Sequence, residues 1–310
     1  MKKFDSKREY EIGMVCAILC ALLWGALPIY WKALQPINSF LIMFYRLALS
    51  CIVLFIPGLI IYKWKGIIKP LKEKGAIRYF VLAGLIISAN WSLYIWMVNS
   101  GKIVQTSIGY YIEPLIVCIF GIIFFNEKLN KFKMIAFILA CIGVLIMILS
   151  YGQLPILALA LAVTFGVYAA IKKKLQAPAL LSLFYETVFL FPFVVAIILY
   201  IEIGGRGAFA TAEPYKIGLL FLSGLFTALP LTLFAMAANR ISLIALGITE
   251  YLSPTMGLVI GIFLYNEHFD IYQLIGFIFI WIGLSVFTAG GIIQRRKESK
   301  EVDGNVNDSE

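Results

Sequence analysis

Nine stretches of this chain run for roughly twenty residues or more almost without charge: 12–31, 38–62, 79–101, 103–126, 134–171, 177–201, 217–239, 241–266 and 271–294. A helix rises about 1.5 Å per residue and bilayer hydrocarbon is about 30 Å thick, so each run can cross a membrane once. The run 134–171 is too long for a single crossing. Gly152 and Pro155, turn-formers in "SYGQLP" (150–155), divide it. The expectation is an all-α polytopic membrane protein with ten transmembrane helices. A membrane β-barrel is excluded, because its strands alternate apolar and polar residues, whereas these runs are continuously apolar.

Composition agrees. The chain is 62% apolar and 14% charged, where a soluble domain carries about a quarter of its residues charged. The opening "MKKFDSKREY" leads into an apolar run, but no small-x-small cleavage site precedes Trp24 and Pro28, so the first span is read as uncleaved. Cys16, Cys20, Cys51, Cys118 and Cys141 all fall inside spans and are read as packing residues. No acid or histidine joins them at metal-ligand spacing, so neither a metal nor a cofactor is expected.

Loop charges set the orientation. With the N-terminus in the cytoplasm, inner segments hold 21 Lys or Arg and outer segments hold 4, with Arg46 inside a span. That bias places both termini on the cytoplasmic side. The charge of +9 then speaks for the lipid bilayer, not for nucleic acid, as partner. "KWKGIIKPLKEKGAIR" (63–78) and "KKK" (172–174) are expected against anionic headgroups.

The chain repeats itself at an offset of 140 residues. Asn126-Glu127 recurs as Asn266-Glu267, Phe44-Tyr45 as Phe184-Tyr185, Gly84 as Gly224, Tyr111 as Tyr251 and Pro114 as Pro254. Shared Pro, Asn, Glu and Tyr at one offset are not chance identities of an apolar chain. The expected organisation is a short cytoplasmic segment (1–11), a first five-helix repeat (12–150), a second (151–293) and a polar, unstructured tail (294–310). Five is odd, so the second repeat should enter the membrane from the opposite side, the inverted arrangement common in secondary transporters. The lysines beside Glu127 (Lys128, Lys131, Lys133) are then inner-loop charges that the outer copy lacks. The sole histidine, His268, falls in that outer loop. Asn130 and Asp270 are expected to cap the helices that follow.

Polar groups at membrane depth are costly, and they are expected to face a cavity and not lipid. Arg46 and Glu186 occupy matching positions, "FYR" and "FYE", where they could form an ion pair or serve a substrate. Glu113 and Glu250 lie beside the matched helix-breaking prolines Pro114 and Pro254, with Tyr111 and Tyr251 alongside. Tyr45, Tyr185, Asn90 and Trp91 complete the candidate substrate site. Gly257-x-x-x-Gly261 could serve a homodimer contact or packing within one bundle.

"WGALPIYWK" (24–32), "NWSLYIWMVN" (90–99), "GYYIEPL" (109–115), "ETVFLFP" (186–192), "TALPLTLFAMAANR" (227–240), "YLSPT" (251–255) and "FIWIGL" (279–284) resemble the EamA family of the drug/metabolite transporter superfamily. The resemblance runs over roughly 12–293. It implies a bacterial inner-membrane transporter with a central cavity, small-molecule substrates and alternating access, with export the expected direction. Arg46 and Glu186-Thr187 fit the family pattern. Glu113 and Glu250 depart from it, since the family usually has an amide at the first and commonly Gln at the second. No phosphate loop, H-E-x-x-H or G-x-S-x-G occurs. A permease subunit needing a partner ATPase and, further off, an intramembrane enzyme are the competing readings.

Overall fold

The computed structural model describes residues 7–72, 75–100, 103–152, 154–265 and 270–307. Every regular element among them is helical: α1 (Lys7–Ala33), α2 (Ser39–Ile68), α3 (Ala76–Asn99), α4 (Ile103–Phe125), α5 (Lys131–Tyr151), α6 (Ile156–Leu175), α7 (Ala179–Val188), α8 (Phe191–Ile203), α9 (Ala208–Thr211), α10 (Pro214–Phe221), α11 (Ser223–Arg240), α12 (Leu243–Glu250), α13 (Leu252–Tyr265) and α14 (Ile271–Asn307), with one 3-10 turn at Lys69–Lys72. Ten segments of the described chain are long and apolar enough to cross a membrane. Their outward faces carry large apolar side chains such as Ile60, Leu149, Phe193 and Phe263. Lipid in place of water makes that exposure favourable.

Local chemistry explains where helices stop. Gly152 ends α5 at φ 76°, a left-handed conformation open to glycine at little cost, and Pro155 opens α6. Asn130 caps α5, accepting the Lys133 N–H at 2.8 Å, and Asp270 accepts the Tyr272 N–H at 3.4 Å at the start of α14. Both caps were expected. The seventh apolar span runs Phe191–Thr211, with Pro192 in the first turn of α8, and the short apolar helix α7 (Ala179–Val188) precedes it. The ninth is α12 and α13, broken at Tyr251. At the C-terminus the backbone stays helical to Asn307, past the start of the tail expected to be unstructured. That segment is rich in Lys, Glu, Arg and Gln, all good helix formers. Asn266, Glu267 and His268 lie outside the described residues.

The two halves interdigitate. Helix α1 packs on α11 and α13, and its counterpart α6 packs on α3 and α4; α2 meets α11 as α7 meets α3. Counterparts also meet one another: α2 with α7 and α8, α4 with α12, and α5 with α14. Each of these pairs has its match in the other half. At the α4–α12 crossing, a Cβ on Gly247 would come within 2.6 Å of the Pro114 carbonyl oxygen. Only glycine permits that approach.

Candidate functional site

Between the halves lies a cavity of about 460 Å³. Helix α1 contributes Trp24, Leu27, Pro28 and Trp31, one face at i, i+3, i+4, i+7 spacing. Helix α2 contributes Arg46, α3 Asn90, Trp91 and Tyr94, and α4 Ser107, Tyr110, Tyr111, Glu113 and Pro114. From the second half come Phe165, Phe226, Thr227, Glu250, Ser253, Pro254, Gly257 and Gln273.

Prolines shape these walls. A proline inside a helix removes the N–H that would bond the carbonyl four residues earlier. For Pro28, Pro114, Pro230 and Pro254 that carbonyl belongs to Trp24, Tyr110, Phe226 and Glu250 respectively. All four of those residues line the cavity. Backbone acceptors are thus freed where polar groups have somewhere to face.

Arg46 sits between two indoles. Its guanidinium carbon lies 4.7 Å from the Trp31 ring centroid and 4.2 Å from that of Trp91, and its Nε donates to Thr227 Oγ1 at 3.1 Å. Glu113 and Glu250 are both buried and line the same cavity. Among the described residues neither carboxyl oxygen of Glu250 has a hydrogen-bond partner. Asn90 gives its side-chain N–H groups to Leu161 O and Thr164 Oγ1, both at 2.8 Å, which ties α3 to α6.

Four of the expected site residues do not reach the cavity. Glu186 pairs with Lys172 at 2.6 Å and also accepts from Ser182 and, at 3.1 Å, from Tyr168. It therefore does not meet Arg46. An aromatic plug of Trp24, Phe165, Phe234 and Tyr168, with neighbouring centroids 5.4 to 6.0 Å apart, separates them. Trp24 and Phe165 face the cavity above; Tyr168 touches Glu186 below. Lys172, expected among headgroups, is 3% exposed, because Glu186 draws it inward. Tyr185 packs against Phe80 and Phe184. The Tyr45 hydroxyl donates to Glu202 at 2.8 Å, and Glu202 in turn accepts the N–H groups of Ala208 and Phe209. Tyr251 turns away to donate to the carbonyl of Tyr111, its repeat partner, at 3.1 Å. Gly257 packs on no helix: nothing lies within 4 Å of where its Cβ would be, and it opens into the cavity.

Beyond the plug, the end of the bundle that holds Glu9 is closed by polar bonds onto residues 239–244. Glu9 binds Arg240 at 2.9 Å, Asn239 binds the Ala177 carbonyl at 2.8 Å, and Lys173 donates to the Ile241 carbonyl. Glu127 accepts the N–H groups of Leu243 at 2.7 Å and Ile244 at 3.0 Å. The Asn-Glu motif of the first half therefore caps a helix of the second.

The EamA-like transporter family matches residues 11–149 and again 154–289. This chain belongs to the EamA family. The double match coincides with the two halves. The chain is 37% identical over 292 residues to the uncharacterized transporter YojE of Bacillus subtilis, covering 93% of this chain and 97% of that one. It is 30% identical over 297 residues to protein RarD of Escherichia coli, covering 96% and 100%. A crystal structure of a protein with 14% identity shares the fold, at a TM-score of 0.69 over 89% of this chain and 97% of that one. With ten apolar helices and bacterial EamA relatives, this is a multi-pass membrane protein of a transporter family, of the kind bacteria place in the inner membrane.

Proposed function

We propose that this protein is a secondary transporter that exports small metabolites or drug-like solutes by alternating access. The observation that carries the reading is one cavity walled by both halves, ended by an aromatic plug and by the polar seal over 239–244. A solute held there meets closed protein at the end bearing Glu9. With five crossings in each half and the main contacts between halves matched in pairs, rocking one half against the other would move the seal to the opposite end. By the loop-charge bias, the end bearing Glu9 is cytoplasmic.

Glu113 and Glu250 are the groups through which an ion gradient could act. Two ionised carboxylates in one membrane cavity, with Glu250 unpartnered, carry a high electrostatic cost. A proton or a cationic group taken up at this pair offsets it, and a change of access lets it go on the other side. The test is flux in proteoliposomes, with labelled metabolites and chloramphenicol assayed with and without a pH gradient. Gradient-driven uptake that disappears in Glu113→Gln/Glu250→Gln is expected. Flux restored only by an added soluble ATPase would replace this reading with that of a permease subunit.

A further inference from the structure

Arg46 is the cavity's one cation among the described residues, and no ion pair holds it. Among the described residues the ion pairs are Lys172–Glu186, Lys216–Glu213 and Arg240–Glu9. Glu113 and Glu250 line the same cavity, yet among the described residues neither is ion-paired with Arg46. The acid at its matched repeat position, Glu186, is held by Lys172 beneath the plug. An arginine at membrane depth is costly, and two indole faces relieve part of that cost without supplying a counter-ion.

Geometry says what is missing. Trp31 and Trp91 cover the guanidinium, and Thr227 takes one N–H at Nε. A guanidinium has five N–H donors in a fixed planar fork, and the terminal nitrogens have no protein acceptor among the described residues. A fork that lies against two indole rings and is left free at its tip fits a planar oxyanion, which takes two parallel hydrogen bonds. Aromatic side chains from Trp91 and Tyr94 to Trp24 and Phe165 line much of the cavity beyond it, with the polar Asn90, Ser107, Glu113 and Glu250 among them.

We propose that Arg46 is the docking point for the carboxylate, or another planar oxyanion, of a solute whose body is aromatic or otherwise apolar. This names the substrate chemistry of the cavity and rests on the transport reading only for its purpose, not for its test. Thr227, Trp31 and Trp91 are positioning residues: they hold the plane of the guanidinium and leave its edge for the anion.

The test is equilibrium binding to the full chain in phosphatidylcholine nanodiscs, where no anionic headgroup competes. Calorimetry reads the affinity, and quenching of Trp31 and Trp91, two of the six tryptophans, is assigned by its loss in Trp31→Phe and Trp91→Phe. The probes are phenylacetate, its uncharged amide phenylacetamide, and the cation phenethylamine. Phenylacetate is expected to bind at least about tenfold more tightly than the amide, and added salt should narrow the gap. Arg46→Gln should erase the preference and Arg46→Lys should keep part of it. If Arg46→Gln does not fold, the acid–amide comparison on the unaltered protein decides. Equal binding of acid and amide, no binding of the acid, tighter binding of the amine, or a preference that survives Arg46→Gln would each overturn the proposal. Absence of flux in liposomes would sink the transport reading and leave this site standing.

Discussion

Glu127 accepts the backbone N–H of Leu243 at 2.7 Å, across 116 positions of sequence. The bond joins the end of one half's fourth crossing to the start of the other's ninth. Its second oxygen takes the N–H of Ile244 at 3.0 Å, so one carboxylate satisfies two donors that open α12. In Glu127→Ala both are left without it. Hydrogen bonds to a charged group contribute about 1.5–3 kcal/mol each, so the seal should loosen by several kcal/mol. Thiol labelling of a Ser242→Cys reporter should then become faster in the Glu127→Ala background. An unchanged labelling rate would mean the seal does not depend on this cap.

The buried pair Lys172–Glu186 gives an asymmetric expectation. Breaking such a pair from one side strands a charge and costs about 3–5 kcal/mol, whereas replacing both with apolar groups can be nearly neutral. Lys172→Met and Glu186→Leu should each lower the melting temperature sharply, and the double substitution should recover most of the loss. Additive losses would show that the two charges do not depend on each other.

Gly247 should not tolerate a side chain. Its Cβ would meet the Pro114 carbonyl oxygen at 2.6 Å and the Cys118 sulfur at 2.8 Å. Overpacking of this kind costs about 1–3 kcal/mol. Gly247→Ala should therefore destabilise the protein, and Gly257→Ala, with open space around it, should not. Equal melting temperatures for the two would contradict the close crossing of α4 and α12.

Pro254 tests the freed carbonyls. Pro254 lies in the first turn of α13, where a proline costs less than the roughly 3 kcal/mol of a helix interior, and Pro254→Ala restores an N–H opposite the Glu250 carbonyl. The substitution should raise thermal stability by less than that amount while slowing flux, because α12 and α13 would join more rigidly. Faster flux with unchanged stability would argue that the break has no mechanical role.

The sequence reading was strongest where the physics is one-dimensional. Charge-free run length predicted ten crossings, and Gly152 with Pro155 located the one hidden boundary. Arg46, Asn90, Trp91, Tyr111, Glu113 and Glu250 do share a cavity. Glu186 failed because repeat position alone does not place two residues side by side. Lys172, one helical turn from the end of α6, was an equally available partner that the sequence presented as a surface charge. Trp31, Tyr94 and Thr227 were under-weighted. Spacing could have found Trp31, seven residues from Trp24 on one face, whereas the nearness of Thr227 to Arg46 across 181 positions carries no linear signal.

The contact of α5 with α14 has a consequence for how the chain is held together. A Cβ on Gly143 would lie 2.5 Å from the Gly276 carbonyl oxygen, so these two final helices press backbone to backbone. The halves are also laced through one another by α1 with α11 and by α4 with α12. Against that lattice of contacts, the covalent link near Gly152 adds little. Two separately synthesised polypeptides, cut in that turn, should find each other in the bilayer and assemble, so the chain behaves as two pieces that need no thread between them.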